Sequence, residues 1–198
     1  MKKNALPNLT KRLTDMALVI FTLPITLLLI IFTFLIVKLS SKGSALYWSQ
    51  RVGVNNNLFD MPKFRSMKIN TPALATHVLN QQTDPNQYLT PVGSFIRKTS
   101  LDELPQLWSV LKGDMSIVGP RPALFNQDDL IALRTEYGVH QLKPGITGWA
   151  QVNGRDEIPI PQKVALDVYY LKHQSFWLDC YIILLTLIKV LKRDNISH

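Results

Sequence analysis

The sequence predicts an α+β membrane protein, mostly helical with a short β hairpin, and three observations carry that prediction. Residues 16–37 (MALVIFTLPITLLLIIFTFLIV) run without a charge; as straight helix they would be roughly 33 Å long, enough for a bilayer's hydrocarbon core. Residues 45–52 and 58–67 place aromatic and β-branched segments on either side of a Gly-Val-Asn-Asn-Asn turn, the pattern of a hairpin. Beyond residue 100, apolar residues recur at helical spacing in several short segments.

A chain of 198 residues has the length of one integrated domain. We divide it into a membrane-embedded segment over residues 1–42 and a second region over residues 43–198. With 22 Lys and Arg against 14 Asp and Glu, net +8, the chain suits an anionic membrane surface, a phosphorylated substrate or nucleic acid. Nucleic acid ranks last, because the cations flank apolar segments and no recognition motif accompanies them. The single cysteine, Cys180, excludes an intramolecular disulfide, and His77, His140, His173 and His198 lack a zinc spacing. A metal here would be a hard cation bound through oxygen.

The apolar run is too long for a secretory signal core and lacks a small-residue cleavage site. Pro24 lies inside it, where proline removes a backbone hydrogen bond and predicts a kink near residues 21–23. Both flanks are basic, with Lys2, Lys3, Lys11 and Arg12 before the run and Lys38, Lys42 and Arg51 after it. The positive-inside rule therefore assigns no orientation. A helix that bends at Pro24 and leaves on the face it entered fits these residues, Thr22 and Thr26 hydroxyls serving the freed backbone groups. A tilted transmembrane anchor fits them equally.

In the hairpin's second arm, Lys63 and Arg65 fall on one face of a strand, a pattern also common on solvated edge strands. Residues 70–88 are polar and aperiodic and read as an irregular loop.

Residues 89–122 (LTPVGSFIRKTSLDELPQLWSVLKGDMSIVGPRP) concentrate the chemistry. Ser100-Leu101-Asp102-Glu103 has the form of a capping box at a helix start, and Pro105 suits a first turn; Asp102 is an alternative cap. Leu104, Leu107, Trp108 and Leu111 then form a stripe expected to be buried, and Gly113 ends the helix. Acids in a first turn are ordinary partners of the helix dipole. The same dipole, with Arg97 and Lys98 nearby, also suits an ionised nucleophilic carboxylate that draws in phosphate. The two adjacent carboxylates offer ligands to a divalent cation. Residues 113–122 read as a short apolar strand ending in a turn, where Pro120 and Pro122 restrict Arg121 to conformations suited to phosphate recognition.

Residues 128–137 predict an amphipathic helix. Residues 143–155 (KPGITGWAQVNGR) form a glycine-containing loop suited to close backbone approach to a ligand, without a known phosphate-loop fingerprint. Residues 162–172 predict a helix that sets Asp167 among apolar residues, where an acid is paired or functional. Residues 176–191 (FWLDCYIILLTLIKVL), ending in Lys189, Lys192 and Arg193, read as a helix lying in a membrane interface.

The basic-flanked run with Pro24, then KFRSM at 63–67, SLDELPQLWSVLKGDMSIVGPRP at 100–122, KPGITGWAQVNGR and LDVYYLKHQSFWLD at 166–179, resembles the small monotopic phosphoglycosyl transferases of the bacterial sugar-transferase family. The resemblance covers nearly the whole chain. It implies a monotopic protein whose first helix re-enters, broken at Pro24, on the cytoplasmic side of a bacterial inner membrane. It implies transfer of a sugar 1-phosphate from a UDP-sugar to polyprenyl (undecaprenyl) phosphate with release of UMP, the first membrane step toward a lipopolysaccharide, capsule or glycoprotein glycan. By the same resemblance Asp102 is the nucleophile and carries a phosphosugar, Glu103 assists it, and Mg2+ bound at Asp102 is the cofactor. Lys63, Arg97, Arg121 and Arg155 are implied substrate contacts, with Asp167 and Asp179 as acids beside the site. Leu23 stands where relatives often have serine before the proline, Gly43-Ser44 replaces a usual Gly-Pro, and Pro62 replaces an aromatic. The alternative class is a non-catalytic membrane-anchored protein that recruits glycan-assembly enzymes. A homodimer within the bilayer is compatible with symmetric assembly.

Overall fold

A computed structural model describes residues 6–69, 71, 85–154 and 158–192. Most of the polar loop, together with Lys2, Lys3 and Arg193, lies outside the described residues. Helix α1 (Leu6–Ser40) is followed by strands β1 (Leu46–Val52) and β2 (Leu58–Phe64), and then by α2 (Gly93–Lys98). A 3-10 turn (Leu101–Gln106) leads into α3 (Leu107–Lys112), β3 (Ser116–Val118) and α4 (Asp128–Glu136). The remaining elements are β4 (Gly145–Thr147), α5 (Trp149–Asn153), α6 (Ile160–His173) and α7 (Phe176–Lys192). The mostly helical α+β class is as the sequence predicts.

Helix α1 lies along the body and does not project from it. Its inward residues are Asp15 and Val19 near one end and Thr33 and Val37 near the other, all buried, each pair four residues apart on one helical face. Val19 packs with Met61, Val110 and Met115, while Val37 packs with Ala45, Phe64 and Ile96. The two ends of the apolar run are thus fixed to the same body. The opposite face is apolar and bare, with Phe21 84%, Leu28 70% and Leu39 85% exposed, an area that soluble proteins rarely leave open.

Pro24 does not divide α1, which is one helical element from Leu6 to Ser40. The hydroxyls of Thr22 and Thr26 donate to carbonyls of their own preceding turns, Leu18 at 2.8 Å and Thr22 at 3.1 Å. They do not serve the Ile20 carbonyl that a residue 24 amide would reach, so the expected compensation is absent at that atom.

The hairpin forms as predicted, β1 antiparallel to β2 with Leu46 opposite Phe64 and Val52 opposite Leu58. Asn55 and Asn56 adopt left-handed conformations in its turn, which asparagine tolerates better than most residues. Lys63 and Arg65 are not solvated edge residues. Arg65 is buried and donates to the Ser41 and Lys42 carbonyls at the end of α1.

The short strand β3 has a parallel partner in β4. Here the glycine-containing loop is corrected to strand and helix, and its glycines closely approach the chain itself. A Cβ on Gly119 would lie 2.3 Å from the Lys143 carbonyl oxygen, and one on Gly148 would lie 2.1 Å from the Gly119 oxygen. Only backbone fits between these segments. Helix α7 bears an exposed apolar face of Trp177, Tyr181, Leu184 and Ile188, continuing the lipid-compatible surface of α1.

Candidate active site

The carboxylate pair sits on a 3-10 turn, not on the capped α-helix expected. Ser100 is left-handed at φ 57 and its side chain makes no capping bond. Pro105, deep in the segment, cannot donate an amide, and the tighter turn accommodates it. The change of period shifts the buried face to Asp102, Gln106, Ser109 and Val110, leaving Trp108 59% exposed. Successive residues in a 3-10 helix are rotated by about 120°, so Asp102 and Glu103 point in different directions. Gly113 does end α3, in a left-handed conformation at φ 99.

Glu103 Oε1 accepts from Lys63 Nζ at 2.9 Å and from Arg121 Nη2 at 3.0 Å. One carboxylate therefore ties the end of β2 to the Gly-Pro-Arg-Pro segment. Burial pulls the Lys63 ammonium below its ordinary pKa, against Glu103, which holds it up. Asp102 is 7% exposed, and its Oδ1 is buried without a hydrogen bond among the described residues. Burial raises its pKa to about 6, opposed by Lys63, Arg97 and Arg121 and reinforced by Glu103. The result is a carboxylate held ionisable near neutrality, with one oxygen uncommitted and three cations close by.

Arg121 is positioned from behind. Arg134 Nη1 donates to its carbonyl at 2.8 Å, Arg51 Nη1 donates to the Pro122 carbonyl at 3.2 Å, and the Val52 amide donates to the Ala123 carbonyl at 3.0 Å. Arg134 is itself oriented by Asp167 Oδ2, at 3.0 Å from Nε and 2.7 Å from Nη2. Burial pushes the Asp167 pKa up and Arg134 draws it back.

The fold thus gathers Asp102, Glu103, Lys63, Arg97 and Arg121. It does not bring Asp167 or Asp179 to them. Asp167 is 1% exposed behind Arg121, and Asp179 accepts from Lys11 Nζ at 2.6 Å and from the Tyr170 hydroxyl at 2.7 Å. Asp167 Oδ2 and both Asp179 oxygens are thus engaged within the fold, where the two acids act as structural partners. Arg155 lies outside the described residues.

Several positioning residues escaped the sequence reading. Arg134 is one, since a basic residue on an amphipathic helix reads as solvated. Arg12, read as a flanking charge, donates to the Val110 and Leu111 carbonyls at the end of α3. Asp15, a lone acid at the edge of the apolar run, accepts from Ser116 Oγ at 2.8 Å and from the Ile117 amide at 3.1 Å. The available signal was an acid where lipid contact would not tolerate one.

Among the described residues no cluster of three or more metal-ligating side chains occurs. The uncommitted Asp102 Oδ1 nevertheless fits Mg2+, which commonly takes one or two carboxylates and completes its shell with substrate phosphate and water.

Beside the carboxylates lies a cleft of about 270 Å3 between α1 and α7. Thr22, Thr26, Leu104, Leu107 and Ile146 supply much of its wall, and Glu103, Arg121 and Lys189 supply its charges. Its composition suits an apolar chain carrying a negative head group.

A sequence model of the bacterial sugar transferase family matches residues 6–193. An uncharacterised sugar transferase, EpsL, of Bacillus subtilis is 43% identical over 191 residues, covering 95% of this chain and 90% of its own length. A UDP-galactose-lipid carrier transferase of Erwinia amylovora is 41% identical, with 86% of this chain and 38% of the relative aligned. A UDP-glucose:undecaprenyl-phosphate glucose-1-phosphate transferase of Escherichia coli is 43% identical over 162 residues, 78% of this chain and 34% of the relative. The chain therefore spans nearly all of the first relative and little more than a third of the other two.

Proposed function

The chain belongs to the bacterial sugar transferase family, and from that premise we propose that it transfers a sugar 1-phosphate from a UDP-sugar to a polyprenyl phosphate on the cytoplasmic face of the inner membrane. The observation that carries the reading is the buried Asp102 carboxylate, one oxygen uncommitted, set beside both a cation cluster and an apolar cleft. Substrate names of two relatives, a UDP-galactose-lipid carrier transferase and a UDP-glucose:undecaprenyl-phosphate transferase, support the same donor and acceptor classes.

In this mechanism Asp102 attacks the β-phosphorus of the UDP-sugar. A carboxylate–phosphorus bond forms, the bond to the bridging oxygen breaks, and UMP departs with that oxygen. A phosphate oxygen of the polyprenyl acceptor then attacks the same phosphorus and releases Asp102, leaving a sugar diphosphate on the lipid. Arg97, Lys63 and Arg121 compensate charge on the phosphoryl oxygens, and Glu103 holds two of these cations in place. Mg2+ bound by Asp102 and donor phosphate oxygens would neutralise developing charge when present.

The test is UMP release from a panel of UDP-sugars by purified protein before any acceptor is added. Stoichiometric release, lost in Asp102→Asn, supports the two-step mechanism. Release only after acceptor addition rules out the covalent first step.

A further inference from the structure

Lys189 is the charge in the cleft that the site already described does not use. Glu103 and Arg121 engage one another, whereas Lys189 makes no hydrogen bond or ion pair among the described residues, although it lines the cleft and is half-buried. A cation without an anion beside an apolar lining is a ready partner for an anionic ligand.

Its setting narrows the ligand. Lys189 is carried by α7, whose Leu184 and Leu187 are more than half exposed, and the facing helix α1 exposes Ile25 and Leu28. The cleft lies between two helices with lipid-compatible surfaces, and its lining beside Lys189 includes Val190 and Leu107. An apolar wall favours an isoprenoid chain, and Lys189, the cleft cation that Glu103 does not pair, favours a phosphate on that chain. A soluble UDP-sugar gains little from such a wall.

We propose that Lys189 binds the phosphate of the polyprenyl acceptor, making the α1–α7 cleft the acceptor's site, bordered by Glu103 and Arg121 of the cluster that receives the donor. This assignment rests on the transferase reading above. It adds a cation of α7, for the acceptor, to the cluster around Asp102 that meets the donor. In the second step Lys189 orients the attacking phosphate oxygen toward the phosphorus on Asp102.

The experiment compares wild type with Lys189→Met, Lys189→Gln and Lys189→Arg in detergent, each checked by thermal melting. Charge removal is expected to raise the KM for polyprenyl phosphate about tenfold or more, the usual scale for losing a hydrogen bond between charged groups. Lys189→Arg restores it. Single-turnover UMP release should change far less than the acceptor KM. Binding is read independently on Asp102→Asn protein: Lys189→Met should weaken binding of polyprenyl phosphate and leave that of polyprenol, which lacks the phosphate, unaltered.

An unchanged acceptor KM in both folded neutral variants overturns the assignment. So does a loss of acceptor binding seen in anionic phospholipid vesicles assayed in parallel but not in detergent, which would make Lys189 a membrane-surface contact. If wild type releases no UMP from any UDP-sugar while polyprenyl-phosphate binding still depends on Lys189, the transferase reading fails and the lipid-phosphate site stands.

Discussion

Asp15 on the membrane helix and Ser116 on β3 are joined by a 2.8 Å hydrogen bond between buried side chains 101 residues apart. The other Asp15 oxygen accepts from the Ile117 amide, so one carboxylate fixes α1 to the strand that runs directly into Gly119 and Arg121. The membrane helix is thereby part of the scaffold that positions Arg121 beside Glu103.

Asp15→Ala is expected to leave the Ser116 hydroxyl and the Ile117 amide without their carboxylate. The cost should be about 2 kcal/mol or more, a fall in melting temperature of about 4 °C or more for a chain of this size. Displacement of Arg121 should also lower kcat, by about tenfold. Melting curves and turnover of the same preparation check both.

Asp102 couples stability to pH with a definite sign. Its pKa is raised from 3.8 to about 6, so between those values the folded state holds more protons than the unfolded one. Stability therefore falls as pH rises through that window, and the penalty persists above it. Asp102→Asn removes the penalty. It should melt higher than wild type at pH 8 and lose that advantage at pH 3.5, while UMP release falls about a thousandfold or more.

The rate constant for UMP release at low UDP-sugar should decline below about pH 6, because only ionised Asp102 attacks and kcat/KM reports the free enzyme. Added Mg2+ should move this limb to lower pH by stabilising the carboxylate, and chelation with EDTA should suppress release. A pH limb indifferent to Mg2+ would exclude Asp102 as its ligand.

The Arg134–Asp167 pair separates stability from positioning. Either Arg134→Met or Asp167→Leu alone leaves a buried unpaired charge and should cost about 3–5 kcal/mol. The double variant should recover much of the melting temperature. Because Arg134 also donates to the Arg121 carbonyl, the double variant should remain impaired in kcat/KM. Recovery of both would make the pair purely structural.

Both ends of α1 pack on one body, through Arg12 and Asp15 at one end and Val37 at the other. With Cys180 replaced by serine, single cysteines at Asn8 and Ser44 should be labelled from the same side of sealed proteoliposomes. Labelling from opposite sides would make α1 a transmembrane anchor.

Much of this was legible in the residues. The charge-free run, the Asn-rich turn of the hairpin, the Gly113 stop and the place of helix α4 each follow from local rules of burial, backbone freedom and periodicity. Local rules failed where two residues changed the period: with Ser100 left-handed and Pro105 inside, the segment became a 3-10 turn, and the expected buried stripe rotated away from Trp108. Glycines at 145 and 148 suggested close backbone approach, but only the paired strands identify Gly119 and its neighbours as what approaches.

By itself, then, the sequence determined the apolar helix, the hairpin and the two adjacent carboxylates, because each is written in neighbouring residues. The tertiary structure decided which charges act together. Lys63, Glu103 and Arg121 converge from three separate segments, Asp167 turns away to hold Arg134, and Asp15 joins the membrane helix to β3. Such pairings connect residues 18 to 101 positions apart. Chain spacing carries no information at that range, since contact there is set by how the elements pack.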